Sequence, residues 1–293
     1  MEYVYQGTLD VAWFPMTVLV VGGSGYLGRE VVRQALTAGH QVAATYLTRP
    51  ADLDGPAWYA LDIRHREQVA DLVAVVKPDV IINAAYQQAD WASTADGAVH
   101  VAIAAASVGA RLVHVSSDAV FSGTASSYDE TAIPDPISPY GAAKAAAETA
   151  IKAISPAAVI ARTSLIIGDG GSPHERRVHA LAAGEIAGVL FTDDVRCPVH
   201  VADLAAALLE LGAPEQAGIH HVAGADAVSR HELGTLIACR DGLDPAALPS
   251  GRRADTDLPG PIDVRLDCTI TQQGLRTNLR GARQFLNRWT VRP

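Results

Sequence analysis

The chain has 293 residues, 49% hydrophobic and 19% charged, which is apolar enough to bury a sizeable core and excludes an intrinsically disordered chain. Its 23 Lys+Arg against 32 Asp+Glu leave a formal charge of −9; that sign repels phosphate backbones and anionic bilayers and argues against nucleic-acid and membrane partners. Three cysteines with no CxxC pair, Cys197, Cys239 and Cys268, indicate neither a disulfide framework nor a zinc site, and suit a reducing cytoplasm.

Residues 1–15 carry Glu2 and Asp10 but no Lys or Arg and no continuous apolar run, so they read as an N-terminal extension rather than a secretory signal. No stretch reaches the roughly eighteen apolar residues of a membrane span. Thr17 to Val21 is a β-branched run that stops at Gly22, after which Leu27, Val31, Val32 and Leu36 recur at helical spacing up to Gly39, giving strand, tight turn and helix. Gln41 to Tyr46 reads as a second strand, Val69 to Val76 as a helix, Asp79 to Asn83 as a buried strand, Ala92 to Val108 as a helix and Leu112 to Ser116 as a strand. A helix starts near Tyr140 and a strand covers Ala158 to Arg162. This alternation predicts an α/β fold, a doubly wound parallel sheet with helices on both faces, over residues 16–163. From residue 164 to 293 glycines and prolines loosen the rhythm into a smaller C-terminal lobe, whose pieces are a helix at Ala202 to Leu211, a strand at Gly218 to Val222 and a helix at Arg230 to Asp241.

The run GGSGYLG carries the first chemistry. Gly23, Gly25 and Gly28 fit GxGxxG, Gly22, Gly25 and Gly28 fit GxxGxxG, and the run joins a strand to a helix. Glycines there allow a tight turn and close approach to a pyrophosphate, with helix-terminal N–H groups offered to the anion. Ser24, Tyr26, Leu27 and Arg29 belong to the same cofactor loop. An acidic residue that would hold a ribose 2′-hydroxyl is missing after the second strand, which ends instead as Thr48 and Arg49. A cation in that place favours NADP, with NAD as the alternative cofactor. Asp62 and Ile63 follow the third strand and would edge the adenine, while Asn83, Ala84 and Ala85 would lie beside the ribose and nicotinamide.

Tyr140 and Lys144 are four apart at the start of a helix and share a face, in a chain whose other lysines are Lys77 and Lys152. The pair can do proton chemistry, the ammonium favouring the phenolate of a tyrosine whose ordinary pKa is near 10. Ser117, at the end of the preceding strand, completes the catalytic set as a hydroxyl donor to a carbonyl oxygen. Tyr86, Gln87, Gln88 and Asp90 follow a strand at its C-terminal end, where such sheets bind substrate. Adjacent His220 and His221 point to opposite faces of a strand and make poor metal ligands; no metal is expected. Asp193 and Asp194 read as a solvated turn, and Glu175, Arg176 and Arg177 as a solvated helix face.

Taken together, the glycine run, the Ser117, Tyr140 and Lys144 set, and the segments PDVIINAA, VSSDAVFSG, DPISPYGAAK and PVHVADLA resemble the extended short-chain dehydrogenase/reductases. Within that superfamily SSDxVFxG, HVADL and the LDC at Leu266 to Cys268 are most similar to the dTDP-4-dehydrorhamnose reductases and the regulatory beta subunits of methionine adenosyltransferase. The resemblance implies a Rossmann domain with a C-terminal substrate lobe, some segments of which return to the Rossmann domain. It implies a nicotinamide cofactor and a small-molecule substrate, a nucleotide-linked sugar, with a homodimer as the assembly to test. Arg196, four residues before His200, matches an arginine that clamps substrate phosphates in the related epimerases. Ala119 and Leu165 stand where the reductases carry an aromatic residue and a tryptophan, so dTDP-4-dehydro-6-deoxy sugars are expected to be poor substrates. The implied activity is NAD(P)-dependent reduction of a carbonyl; a sugar-nucleotide epimerase and a non-catalytic NADP-binding regulatory subunit stay open beside it.

Overall fold

A computed structural model describes residues 15–125, 127–257 and 260–287; of the expected extension over residues 1–15, all but Pro15 lies outside them. The apolar run Thr17–Val21 forms β1, and the periodic segment Tyr26–Thr37 forms α1. There follow β2 (Gln41–Tyr46), β3 (Ala57–Ala60), α2 (Arg66–Val76), β4 (Val80–Asn83), α3 (Gly97–Val108), β5 (Arg111–Ser117), α4 (Pro139–Ile154) and β6 (Val159–Thr163). α5 (Pro173–Ala182), α6 (Val201–Glu210), β7 (Gly218–His221) and α7 (Arg230–Asp241) complete the main elements. The stretch Ala92–Asp96, expected as the start of one long helix, is a π-helical turn ahead of α3. Such a widened turn often marks a functional site, and here it includes Ser93, which borders the central cleft.

All seven strands are parallel, in the order β7-β6-β5-β4-β1-β2-β3. The direction of winding reverses between β1 and β4, and the crevice outside the carboxyl ends of those two strands is where such a sheet receives a ligand. One face is covered by α1 and α6, the other by α2, α3 and α4. Fully buried Leu19, Ile81 and Leu112 face one apolar layer, and Val20, Ile82 and Val113 the other. Each such side chain contributes about 1.5–3 kcal/mol by leaving water.

The lobe is smaller than its sequence suggested. Two of its three expected pieces return to the sheet: β7 pairs with β6, and α6 lies on α1, with Gln34 Nε2 donating to the Ala202 carbonyl at 2.9 Å. What remains is built on α5 and α7 around Val178, Leu181, Leu233 and Ile237, joined by two-residue strands. His220 and His221 are held by different carbonyls, Ala217 and Asp267, and among the described residues no group of side chains suits a metal ion.

Candidate active site

The turn between β1 and α1 forms one end of a cleft of about 330 Å³. Gly22 has φ +81°, and a Cβ there would stand 2.8 Å from the Ala85 nitrogen; at Gly28 it would stand 2.1 Å from the Gly22 carbonyl oxygen. Only glycine permits this approach of helix, turn and β4. Gly22 N–H is held by Thr45 Oγ1 at 2.9 Å. Gly25 caps α1 without a side-chain bond, and the first intrahelical donor is the Arg29 amide. The amides of Tyr26, Leu27 and Gly28 therefore have no intrahelical acceptor, the condition under which a helix start binds phosphate. The residues present fit a dinucleotide.

Of the expected cofactor residues, Gly22, Ser24, Gly25, Tyr26, Leu27, Gly28, Asp62, Ile63, Ala84 and Ala85 line this cleft. The Arg64 guanidinium beside Asp62, at 2.6 Å, brings its carboxyl down to about 2. Two expectations need correcting in position. Gly23 is buried in the turn beneath the cleft. Asn83 lies beneath it too, its amide oxygen accepting the Ala85 N–H and its nitrogen 3.3 Å from His114 Nδ1, so it shapes the turn after β4 instead of meeting a ligand. Thr48, Arg49 and Arg29 are exposed beyond the lining, and among the described residues no carboxylate pairs with either guanidinium.

At the other end of the cleft the catalytic candidates meet. Ser138 caps α4 by accepting the Gly141 N–H, which sets Tyr140 and Lys144 on the face toward β5. Tyr140 lies beside Ser117, close enough for the serine to lower its hydroxyl. Ser117 Oγ donates to Asp118 Oδ1 at 3.1 Å and accepts the Ala119 N–H. Asp118 also takes the Ser164 hydroxyl at 2.7 Å, so the serine is oriented by a buried carboxylate. Lys144 is 2% exposed, donates to the Val115 carbonyl at 2.9 Å and lies 5.1 Å above the Tyr86 ring. Burial, partly offset by Glu148, lowers its ammonium to about 8.

The phenolate expected beside that ammonium is not the favoured form. Burial first, then Tyr86 and Asp118, push the Tyr140 hydroxyl well above its ordinary value, against the lowering from Ser117. Desolvation sets the direction, while the Lys144 Nζ is turned to a backbone carbonyl.

Further corrections follow from hydrogen bonding and burial. Asp90, expected against substrate, accepts the Ala92 N–H and the Ser93 hydroxyl and starts the π-helical turn. Arg196, expected to clamp phosphates, is 5% exposed, with its donors on the carbonyls of Val195, Pro261 and Ile262 and an ion pair to Asp194 at 2.9 Å. Turning it to a ligand would orphan those buried acceptors, at about 1–3 kcal/mol each. Asp194 is no solvated turn: it is 2% exposed and also pairs with Arg253 at 3.0 Å. Glu175 is no solvated face: fully buried, it closes a capping box with Ser172 and pairs with Arg240 at 2.7 Å. Leu165 packs into the lobe core, while its neighbours Ser164 and Ile166 border the cleft.

A second cavity, of about 200 Å³, opens in the lobe between apolar walls from α5 and α7, with Arg177, Arg230, Arg253 and Phe191 on its lining. Sequence reading missed these residues and Pro173, His174 and Thr45. Thr45 lies in β2, Pro173, His174 and Arg177 on α5, and Phe191, Arg230 and Arg253 in three further segments, so no single motif joins them.

A family model described as "RmlD substrate binding domain" matches residues 16–290. The chain is 32% identical over 298 residues to a dTDP-4-dehydrorhamnose reductase of Mycolicibacterium smegmatis, covering 96% of this chain and 86% of that one. It is 30% identical over 306 residues to methionine adenosyltransferase 2 subunit beta of Xenopus laevis, covering 94% and 89%. Among solved structures, dTDP-4-dehydrorhamnose reductase from Bacillus anthracis in complex with NADP superposes with a TM-score of 0.80 at 22% identity, over 93% of this chain and 98% of that one, a likeness of fold.

Proposed function

The chain belongs to the RmlD substrate binding domain family, and on that premise we propose that it is an NADPH-dependent reductase of a carbonyl carried by a nucleotide-linked sugar. The observation that carries this reading is the convergence of Ser117, Tyr140 and Lys144 at the end of a cleft whose other end is the glycine turn. The nicotinamide dinucleotide, when bound, supplies the hydride. Tyr140, protonated at neutral pH, donates the proton to the oxygen as negative charge develops on it. Ser117, held by Asp118, hydrogen-bonds the same oxygen. Lys144 binds the nicotinamide ribose. Arg49, with Arg29 and Thr48, reads the 2′-phosphate at the cleft mouth, and the substrate's nucleotide end extends into the lobe cavity beside Arg177, Arg230 and Arg253.

The test is to incubate protein and NADPH with a panel of nucleotide-linked 4-keto sugars, following loss of reduced cofactor. Turnover of at least one is expected, with dTDP-4-dehydrorhamnose among the slower because neither Ala119 nor Leu165 offers a ring to seat the deoxysugar. Conversion without net loss of NADPH would mark an epimerase. The likeness to the methionine adenosyltransferase beta subunits favours a second reading, a cofactor-binding regulatory subunit. Tight NADPH binding without turnover of any panel member would overturn the reductase and leave that reading.

A further inference from the structure

One side chain stands between the two cavities. His174, the second residue of α5, borders the cofactor cleft on one side and the lobe cavity on the other. Among the described residues its imidazole has no hydrogen-bond partner. The neighbouring acids are committed elsewhere: Glu175 accepts the amides of Gly168, Gly170 and Ser172 and pairs with Arg240, and Asp194, on the lobe cavity's lining, pairs with Arg196, Arg230 and Arg253. Arg230 of α7 lines the lobe cavity with His174 and acts on its charge, and Arg177 and Arg253 share the same lining. Burial and Arg230, opposed by Glu175, hold the imidazole down to about 4, so near neutral pH it is uncharged and presents one donor and one acceptor.

We infer that His174 binds the diphosphate bridge of the nucleotide-linked substrate, where a sugar in the cleft joins a nucleoside in the lobe cavity. The inference rests on the proposed function. A ligand lying through both cavities must pass this ring, and the arginines around the lobe cavity make the passage suited to an anion. A phosphate oxygen beside the imidazole favours its charged form, which donates from both nitrogens. Binding then carries a proton in: affinity rises as pH falls through the bound-state value, and levels off below the free value of about 4.

UDP-glucose and dTDP-glucose are suitable probes, because both their phosphates are esterified and keep their charge over pH 5.5–8. Calorimetry at pH 6 in two buffers of different ionisation enthalpy reads the proton directly. The unmodified protein is expected to bind at least one probe with proton uptake. His174→Gln is expected to weaken binding about tenfold at pH 6 and remove the uptake, with NADPH affinity within about twofold as the control for folding. Probe binding without proton uptake in the unmodified protein overturns the inference whatever the variant does, as does an unchanged affinity in His174→Gln; either leaves the reductase standing. If NADPH binds and neither probe does, the proposed substrate class fails, and the inference with it.

Discussion

The sheet half and the lobe bury different things. Between its helix layers the sheet holds aliphatic side chains on both faces, with one deep ion pair, Glu148 to Arg162 at 2.8 Å, behind α4. The lobe has a smaller apolar cluster and encloses charge: Glu175 with Arg240, and Asp194 with Arg196, Arg230 and Arg253. Apolar packing is indifferent to pH, whereas a buried pair is stabilising only while both partners are ionised and is costly once either is lost. The two halves should therefore fail under different stresses, although the cleft needs both.

The largest expected effect leaves both halves standing. Tyr140→Phe removes the proton donor and keeps the ring; turnover should fall by about 10²–10⁴, while NADPH affinity and the urea midpoint stay close to the parent's. Loss of stability comparable to the loss of rate would mean that the hydroxyl holds the fold together.

Next is a change that separates the halves. Glu175→Ala leaves three backbone amides without their acceptor and takes one of two carboxylates, Asp241 remaining, from Arg240; it should cost about 3–5 kcal/mol of lobe stability. Hydrogen exchange should rise in α5 and α7 while β1, β4 and β5 keep their protection; a uniform rise would show that lobe and sheet unfold as one unit. Acid gives the same contrast. Burial raises the Glu175 carboxyl, but the Ser172 and Gly170 amides and Arg240 outweigh it, and its value is lowered. Its stabilisation is therefore complete above the ordinary carboxylate range and lost as pH falls through the lowered value, so lobe amides should lose protection there before sheet amides.

A smaller effect belongs to the cleft mouth. Arg49→Ala should remove most of a preference for NADPH over NADH, about 1.5–3 kcal/mol or roughly ten- to a hundredfold, by fluorescence titration with each cofactor. Equal affinities in the parent would defeat the assignment. The smallest concerns Lys144, whose ammonium is lowered to about 8. NADPH affinity should be level below that pH and decline several-fold above it as the charge is lost, and Lys144→Met should flatten the profile.

Much of the sheet half was legible because each of its signals is local. Thr17–Val21 and Gln41–Tyr46 fall where apolar runs put them, and the glycine turn and the Tyr140, Lys144 spacing are contained within a few residues. Periodicity tells which face of an element is buried, not against what. Hence α6 and β7 read as lobe from their place in the chain, and only the family resemblance implies segments that return; their partners, α1 and β6, belong to the sheet. The fate of charged side chains was hidden for the same reason. Glu175 meets Arg240, and Arg196 meets Pro261, from opposite ends of the lobe sequence, and in a linear reading each looks like a solvated or ligand-facing charge.

The sequence by itself determined the parallel α/β architecture, the dinucleotide turn and the Ser117, Tyr140 and Lys144 set, because hydrophobic spacing and glycine freedom act over single elements. Only the tertiary structure decided that burial raises the Tyr140 hydroxyl, that Arg196 and Glu175 serve the lobe's interior, and that His174 stands at the junction of two cavities. Those outcomes depend on desolvation and on partners tens of residues away, and the balance between the cost of burying a charge and the attraction that offsets it exists only once the chain has folded.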